Sequence, residues 1–310
     1  MIGYGTGVAL TLLSSSFFGL MGLFNKIAGE GGLGLYERIT LRFLVSALIL
    51  ALVLKLQGKN LAIPKHLTLK LLVASSLFFG GTSFLLFLSY AYIPTSLTTT
   101  LHFIYPLLVL ILAMAFDKYR PTGRQKWGTL LSLVGLYLAV RPSTTSSANQ
   151  LLGIILALGS ALTFCLYVRF LNNDEVKSLD NTLLMFHILL SAGAAWALPT
   201  LVHLGTTEHL PIVWAKAVGG IAGLSVLSTV LGCSFFSLGI RTIGSEKASI
   251  LSVFEPVTAI VAGVLILGER LPSTFSLGSV LIILGSYLVS RTKATHTLPT
   301  KTRRIIKDEQ

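Results

Sequence analysis

A few polar groups of this 310-residue chain stand inside long apolar runs, where few chemistries are open to them. Glu255 precedes Pro256 in the run 245–267, and Ser252 lies three residues before it. Arg42 falls in 35–56, His187 in 181–204, and Asn25, beside Lys26, closes the first run. His102 stands one helical turn before Tyr105, which is followed by Pro106, so His102 and Tyr105 share a helical face. Such groups bind and release. A carboxylate takes an ammonium group or a proton, a guanidinium takes a carboxylate, and an imidazole titrates near neutrality.

Other chemistries lack their residues. There is no Walker lysine loop for direct use of ATP. The six histidines show no ligand spacing, His203 and His209 being six apart in a loop, so neither a metal nor a cofactor is expected. No Ser/His/Asp set and no paired carboxylates collect at a membrane surface. Cys165 and Cys233 sit within apolar runs and read as small core residues.

The elements that must position these groups are membrane helices. Hydrophobic residues make up 53% of the chain and charged ones 12%, about half the charged share of a soluble domain. Apolar runs of about 20 residues match a hydrocarbon core of about 30 Å at 1.5 Å per helical residue. Cutting at charged, Pro and Gly breaks predicts ten spans: 5–28, 35–56, 67–92, 95–116, 126–140, 151–171, 181–204, 213–240, 245–267 and 275–290. The loops left between them are too short for an extramembrane domain. The first run lacks a basic leader and exceeds the apolar core of a signal peptide, so it reads as a retained span.

The net charge of +12 is a matter of placement and does not indicate a nucleic-acid partner. With both termini inside, 18 of the 24 Lys and Arg fall in the inner loops, helix ends and tail, five fall outside, and Arg42 lies within a span. That bias predicts cytoplasmic termini in a cell (plasma or inner) membrane.

The two halves can be laid on one another at a shift of about 145 to 151 residues. Gly7-Val-Ala-Leu meets Gly153-Ile-Ile-Leu, and Leu44-Val-Ser-Ala meets Leu189-Leu-Ser-Ala, which sets His187 opposite Arg42. Ile104-Tyr105-Pro106 meets Phe254-Glu255-Pro256, and Gly128, Gly135, Tyr137 and Leu138 meet Gly278, Gly285, Tyr287 and Leu288. Five spans per copy send the second copy through the membrane in the opposite sense, a mark of alternating-access transporters with a midplane site. The expectation is an all-α membrane protein: residues 1–145 as one five-helix repeat, 146–291 as its inverted mate around a central cavity, and 292–310 as a basic cytoplasmic tail.

The stretch Glu255-Pro256, then Leu267-Gly268-Glu269-Arg270-Leu271, Gly278 and Gly285-Ser-Tyr-Leu288, resembles the last two spans of EamA-type transporters of the drug/metabolite transporter superfamily. Tyr105-Pro106, Gly128-x6-Gly135-x-Tyr137, Phe18-Gly19, Phe24-Asn25-Lys26 and Arg42-Phe43 fit the same pattern, over residues 5 to 291 in all. The resemblance implies ten helices in two inverted repeats, a central cavity, and transport of small metabolites, often outward.

The candidate substrate-binding residues are then Glu255, Arg42, His102, Tyr105, Ser252, His187 and Asn25, with Pro106 and Pro256 as kink or hinge positions. Each has a plainer reading. Glu255 could be a structural carboxyl bonded to a helix end. Arg42, about 10 Å into its span, could snorkel to the interface. His187 could be a buried neutral histidine, and Asn25-Lys26 an interfacial anchor. Each proline removes an N–H, so the carbonyls of Ser252 and His102 become either ligands for an ammonium group or marks of a kink. The small residues 80–81 and 219–223 serve close packing or sliding surfaces alike. The leading expectation is a secondary transporter of a small polar metabolite, an amino acid or related compound, with export favoured over uptake. A proton as coupling ion and a homodimer are both compatible with it. The alternative is a membrane-embedded enzyme acting on a lipid-linked substrate, which would draw on Asp174, Glu175 and Asp180.

Overall fold

The structure, a computed structural model, describes residues 3–116, 119–140, 148–206, 211–252, 254–269 and 273–290. The 142–149 connector except its last two residues, Arg270-Leu271 of the second-half motif, and the basic tail lie outside them. The described residues are overwhelmingly helical and contain no strand.

In chain order the helices are α1 (Tyr4–Gly19), α2 (Met21–Glu30), α3 (Leu35–Leu56), α4 (Lys65–Ala74) and α5 (Gly81–Ser89). They continue as α6 (Thr95–His102), α7 (Tyr105–Phe116), α8 (Gly123–Val140), α9 (Ala148–Leu171), α10 (Asp174–Lys177) and α11 (Asn181–Thr206). The last are α12 (Trp214–Ala222), α13 (Gly232–Ile243), α14 (Ser245–Leu251), α15 (Phe254–Leu265) and α16 (Ser273–Ser290). Two π-helical stretches, Ser75–Gly80 and Gly223–Leu231, join α4 to α5 and α12 to α13. Eight stretches are long and apolar enough to cross a bilayer: Tyr4–Glu30, Leu35–Leu56, Lys65–Ser89, Thr95–Phe116, Asn149–Leu171, Asn181–Gly205, Trp214–Ile243 and Ser245–Leu265. The chain is therefore a multi-pass membrane protein. The fifth and tenth expected spans correspond to α8 and α16, 18 residues each, which pack along one another.

Other pairings are α3 with α11, α1 with α13, α2 with α12, and α5 with α9. The stretch Ser75–Gly80 lies against α11, and Gly223–Leu231 against α3. Two of the glycines mark close helix approaches that bear on the site and on the expected packing. A β-carbon on Gly220 would stand 2.5 Å from the Ala28 nitrogen, and one on Gly19 would stand 2.4 Å from the Glu255 carbonyl oxygen. Only hydrogen fits there, so the packing role expected of 219–223 holds at Gly220. Gly219 faces open space.

Both prolines follow helix breaks. After α6 the chain turns at Phe103-Ile104 and restarts at Tyr105-Pro106, a first-turn position where the missing N–H costs least. After α14 it restarts at Phe254-Glu255-Pro256. One expectation needs correction here. The Ser252 carbonyl is not left free by Pro256, because the Glu255 N–H donates to it at 3.0 Å in a tight turn.

Candidate functional site

The breaks and close crossings converge on a cavity lined by Phe18, Met21, Arg42, Phe79, Thr82, Ser83, Leu86, His102, Phe164 and Glu255. Its volume is about 20 Å³, enough for a water or two. Its lining comes from α1, α2, α3, α5, α6, α9, α15 and the Ser75–Gly80 stretch.

Arg42 is fully buried, so it does not snorkel. Its Nε donates to Thr229 Oγ1 at 2.7 Å, and its Nη1 to Met21 Sδ at 3.1 Å and Ser83 Oγ at 3.4 Å. Phe43, Phe79 and Phe87 surround the guanidinium, their ring centres 5.0 to 5.7 Å from Cζ. The Nη2 group has no hydrogen-bond partner. The Thr229 hydroxyl donates in turn to the Leu224 carbonyl at 2.6 Å, five residues back within the π-helical stretch. That local winding sets the lone pair that receives Arg42.

Glu255 is 4% exposed. Its backbone is fixed on both sides, by the N–H bond to Ser252 and by the close pass of Gly19 at its carbonyl. Its Oε2 has no partner, and it forms no ion pair with Arg42 on the same cavity.

His102, 2% exposed, closes α6. Its Nδ1 lies 2.8 Å from Ser160 Oγ, whose single proton goes to the Ala157 carbonyl at 2.6 Å. The serine oxygen therefore accepts, Nδ1 carries the proton, and Nε2 offers a lone pair. The Tyr105 ring is tilted against His102 at 5.4 Å and edge-on to Phe164 at 4.7 Å; His102 and Tyr105 meet across the break between α6 and α7, not on one helix face. Tyr105 and Ser252 are fully buried behind the cavity wall. The Ser252 hydroxyl donates to the Ala248 carbonyl at 3.0 Å.

Two expected residues stand elsewhere. Asn25 is buried, but its Oδ1 and carbonyl oxygen receive Arg38 Nη1 at 3.1 Å near the α2–α3 loop. His187 is half-buried, its Nε2 lying 2.7 Å from the Leu61 carbonyl in the α3–α4 loop. It stands six residues into α11 and Arg42 seven into α3, yet its imidazole meets a loop carbonyl while the guanidinium lines the cavity. Sequence reasoning missed Thr229, Ser83 and the aromatic wall of Phe18, Phe79 and Phe164. Thr229 lies six residues past the small residues 219–223, which sequence reasoning read as packing or sliding surfaces. That reasoning also left Glu269 without a role. Its carboxylate accepts from the Thr95 N–H (2.8 Å), Thr95 Oγ1 (2.6 Å), the Ser96 N–H (3.2 Å) and Ser96 Oγ, and so caps α6.

Among the described residues no group of three or more His, Cys, Asp or Glu could hold a metal ion. The arrangement can hold a charged or dipolar solute in a largely apolar chamber.

A family model described as the EamA-like transporter family matches residues 5–141 and again residues 151–291. An uncharacterized transporter of Archaeoglobus fulgidus is 25% identical over 261 residues, 81% of this chain and 87% of that protein. The threonine/homoserine exporter RhtA of Escherichia coli is 26% identical over 216 residues, 68% and 69% of the two chains. Other matches are shorter: the chain spans about half (54%) of a second Archaeoglobus fulgidus transporter and 60% of the Bacillus subtilis transporter YwfM. One solved crystal structure shares the fold, with a TM-score of 0.72 at 14% identity, over 92% of this chain and 97% of that one.

Proposed function

We propose that this chain, which belongs to the EamA-like transporter family, is a secondary transporter that moves small polar metabolites by alternating access. An amino acid or related compound is the leading cargo and export the leading direction. The observation that carries this is the cavity itself: Arg42 and Glu255 both line it, and each leaves one polar atom without a partner. Such groups are costly in a bilayer core and are kept where a solute or ion pathway uses them.

Several features support two five-helix repeats, 1–145 and 146–291, with 292–310 as tail. The family model matches twice, on either side of residues 142–150. The π-helical stretches occur at corresponding places, as do the breaks before Pro106 and Pro256. The contacts of α1 with α13 and of α5 with α9 correspond under the repeat, as do those of α3 with Gly223–Leu231 and α11 with Ser75–Gly80. On this reading α8 and α16 complete ten spans, and the basic-residue bias puts both termini in the cytoplasm of a plasma or inner membrane. A proton is the proposed coupling ion, exchanged at Glu255.

Two of the three acids that the lipid-enzyme alternative would draw on are held in ion pairs. Glu175 bonds Lys70 at 2.7 Å, and that ammonium holds its carboxyl below the usual range, while Asp180 bonds Lys59 at 2.8 Å. Relatives named as transporters agree with a non-enzymatic role.

Counterflow of labelled threonine into proteoliposomes tests the reading. Wild type should accumulate label, and Glu255→Gln should express normally while losing transport or its pH dependence. Full activity with an unchanged pH profile would remove Glu255 from the mechanism.

A further inference from the structure

The geometry points to a zwitterion site: Arg42 takes the carboxylate and Glu255 the ammonium group of one small ligand that carries both. This rests on the transport reading above and assigns which residue takes each charge of its leading cargo.

All the hydrogen-bond partners of the buried guanidinium are neutral: a threonine hydroxyl, a methionine sulfur and a serine hydroxyl. Thr229 holds Nε firmly. The two Nη groups are the loosely occupied edge, with a thioether at 3.1 Å, a hydroxyl at 3.4 Å, and nothing on Nη2. A thioether is a weak acceptor, and 3.4 Å is near the limit of a hydrogen bond. A carboxylate displaces both readily and meets the Nη1/Nη2 edge with two parallel bonds. On the same cavity, Glu255 Oε2 has no donor. An ammonium group supplies three.

The two residues come from helices far apart in the chain, α3 and α15, and do not pair with each other. With Glu255 deprotonated their charges sum to zero, so a ligand of one sign then leaves a buried charge without a counter-ion, whereas a zwitterion satisfies both. Of the other lining residues, Phe18, Met21, Phe79, Leu86 and Phe164 are apolar, and Thr82, Ser83 and His102 leave room for a few neutral polar contacts beside the two charges. At about 20 Å³ the cavity in this state holds water alone, so the ligand enters with the helices further apart.

The test uses the full chain in proteoliposomes and a matched ligand set competing for counterflow: threonine carries both charges, threoninamide only the ammonium, 3-hydroxybutyrate only the carboxylate. Each single-charge compound should compete on the order of 10- to 100-fold more weakly than threonine, the worth of a charged hydrogen bond. Arg42→Gln should flatten the preference for threonine over threoninamide, and Glu255→Gln the preference over 3-hydroxybutyrate. A merely structural role would weaken all three compounds together. The wild-type series stands even where a variant fails to fold. Equal competition by either analogue overturns the zwitterion site, as does transport of a monoamine or sugar with the zwitterion inert, and transport itself then survives. No counterflow of any solute, among amino acids, nucleosides, sugars and quaternary amines, would instead overturn the transporter reading and the zwitterion site with it.

Discussion

Glu269→Ala should destabilise the protein measurably, although it touches neither the cavity nor any candidate ligand group. The carboxylate receives two backbone N–H groups and two hydroxyls of Thr95 and Ser96 at the start of α6. The first-turn N–H groups of a helix have no partner within it, and Pro94 before them brings no side-chain oxygen. Alanine leaves those donors unpaired at buried residues, since Thr95 and Ser96 are 7% and 0% exposed. A hydrogen bond to a charged acceptor contributes about 1.5–3 kcal/mol and a lost cap costs about 1 kcal/mol, so the sum is about 2–4 kcal/mol. In a chain of this size that lowers the melting temperature by roughly 6 °C. Glu269→Gln, which keeps one acceptor oxygen but turns an amide NH2 toward donors, should lose about half as much. A third variant approaches the contact from behind. A β-carbon at Gly263 would stand 2.5 Å from Glu269 Oε2, so Gly263→Ala should push the carboxylate off its cap and fall between the other two. The assay is thermal unfolding of detergent-purified protein followed by tryptophan fluorescence. A Glu269→Ala melt within 1 °C of wild type would refute the capping assignment.

Three further outcomes are expected. Gly220→Ala should cost about 1–3 kcal/mol by overpacking against the Ala28 backbone, whereas Gly219→Ala, facing open space, should be neutral in the same melt. Equal effects would contradict the α2–α12 packing. Pro106→Ala restores a backbone N–H and lets α6 and α7 fuse, so counterflow should slow several-fold with threonine affinity within about two-fold. An unchanged rate would remove the break from the transport cycle. Single cysteines at Lys59 and Ile212, both exposed, should react with an impermeant maleimide from opposite sides, Lys59 from the cytoplasm and Ile212 from outside. Reversed labelling would invert the proposed orientation.

Helix positions and breaks were legible because bilayer thickness and proline act locally, within one run of sequence. So were Glu255, Arg42 and His102, since an ionisable group in an apolar run needs a wet or paired environment wherever the run ends up. Facing was not legible. A helix apolar on every side has no amphipathic stripe to mark its inner face, so nothing in the sequence separated Thr229, which meets Arg42, from Ser228, which bonds the Phe17 carbonyl. The π-helical stretches went unseen for a related reason. Their winding is held by tertiary neighbours and by hydroxyl-to-carbonyl bonds such as Thr229 to Leu224, and leaves no periodicity to read. His187 misled because matched positions in the two halves have different surroundings: it meets the Leu61 carbonyl, whereas Arg42 lines the cavity.

The two broken spans are cross-paired, and this gives the cavity its mechanical meaning. α6 packs on α15, and Glu269, just beyond α15, caps the start of α6, so those two half-helices form one body. α7 packs on α14, the complementary halves, at the other end of the bundle. His102 is the last residue of α6 and Glu255 the second of α15, so both stand at the joints between the two bodies. A rotation at the breaks would open one end while the other stays packed, and would move His102 and Glu255 relative to Arg42, which belongs to the unbroken α3. In the proposed cycle the guanidinium would be the fixed post of the site and the carboxylate the moving one. A ligand bridging them would report its presence directly to the joints.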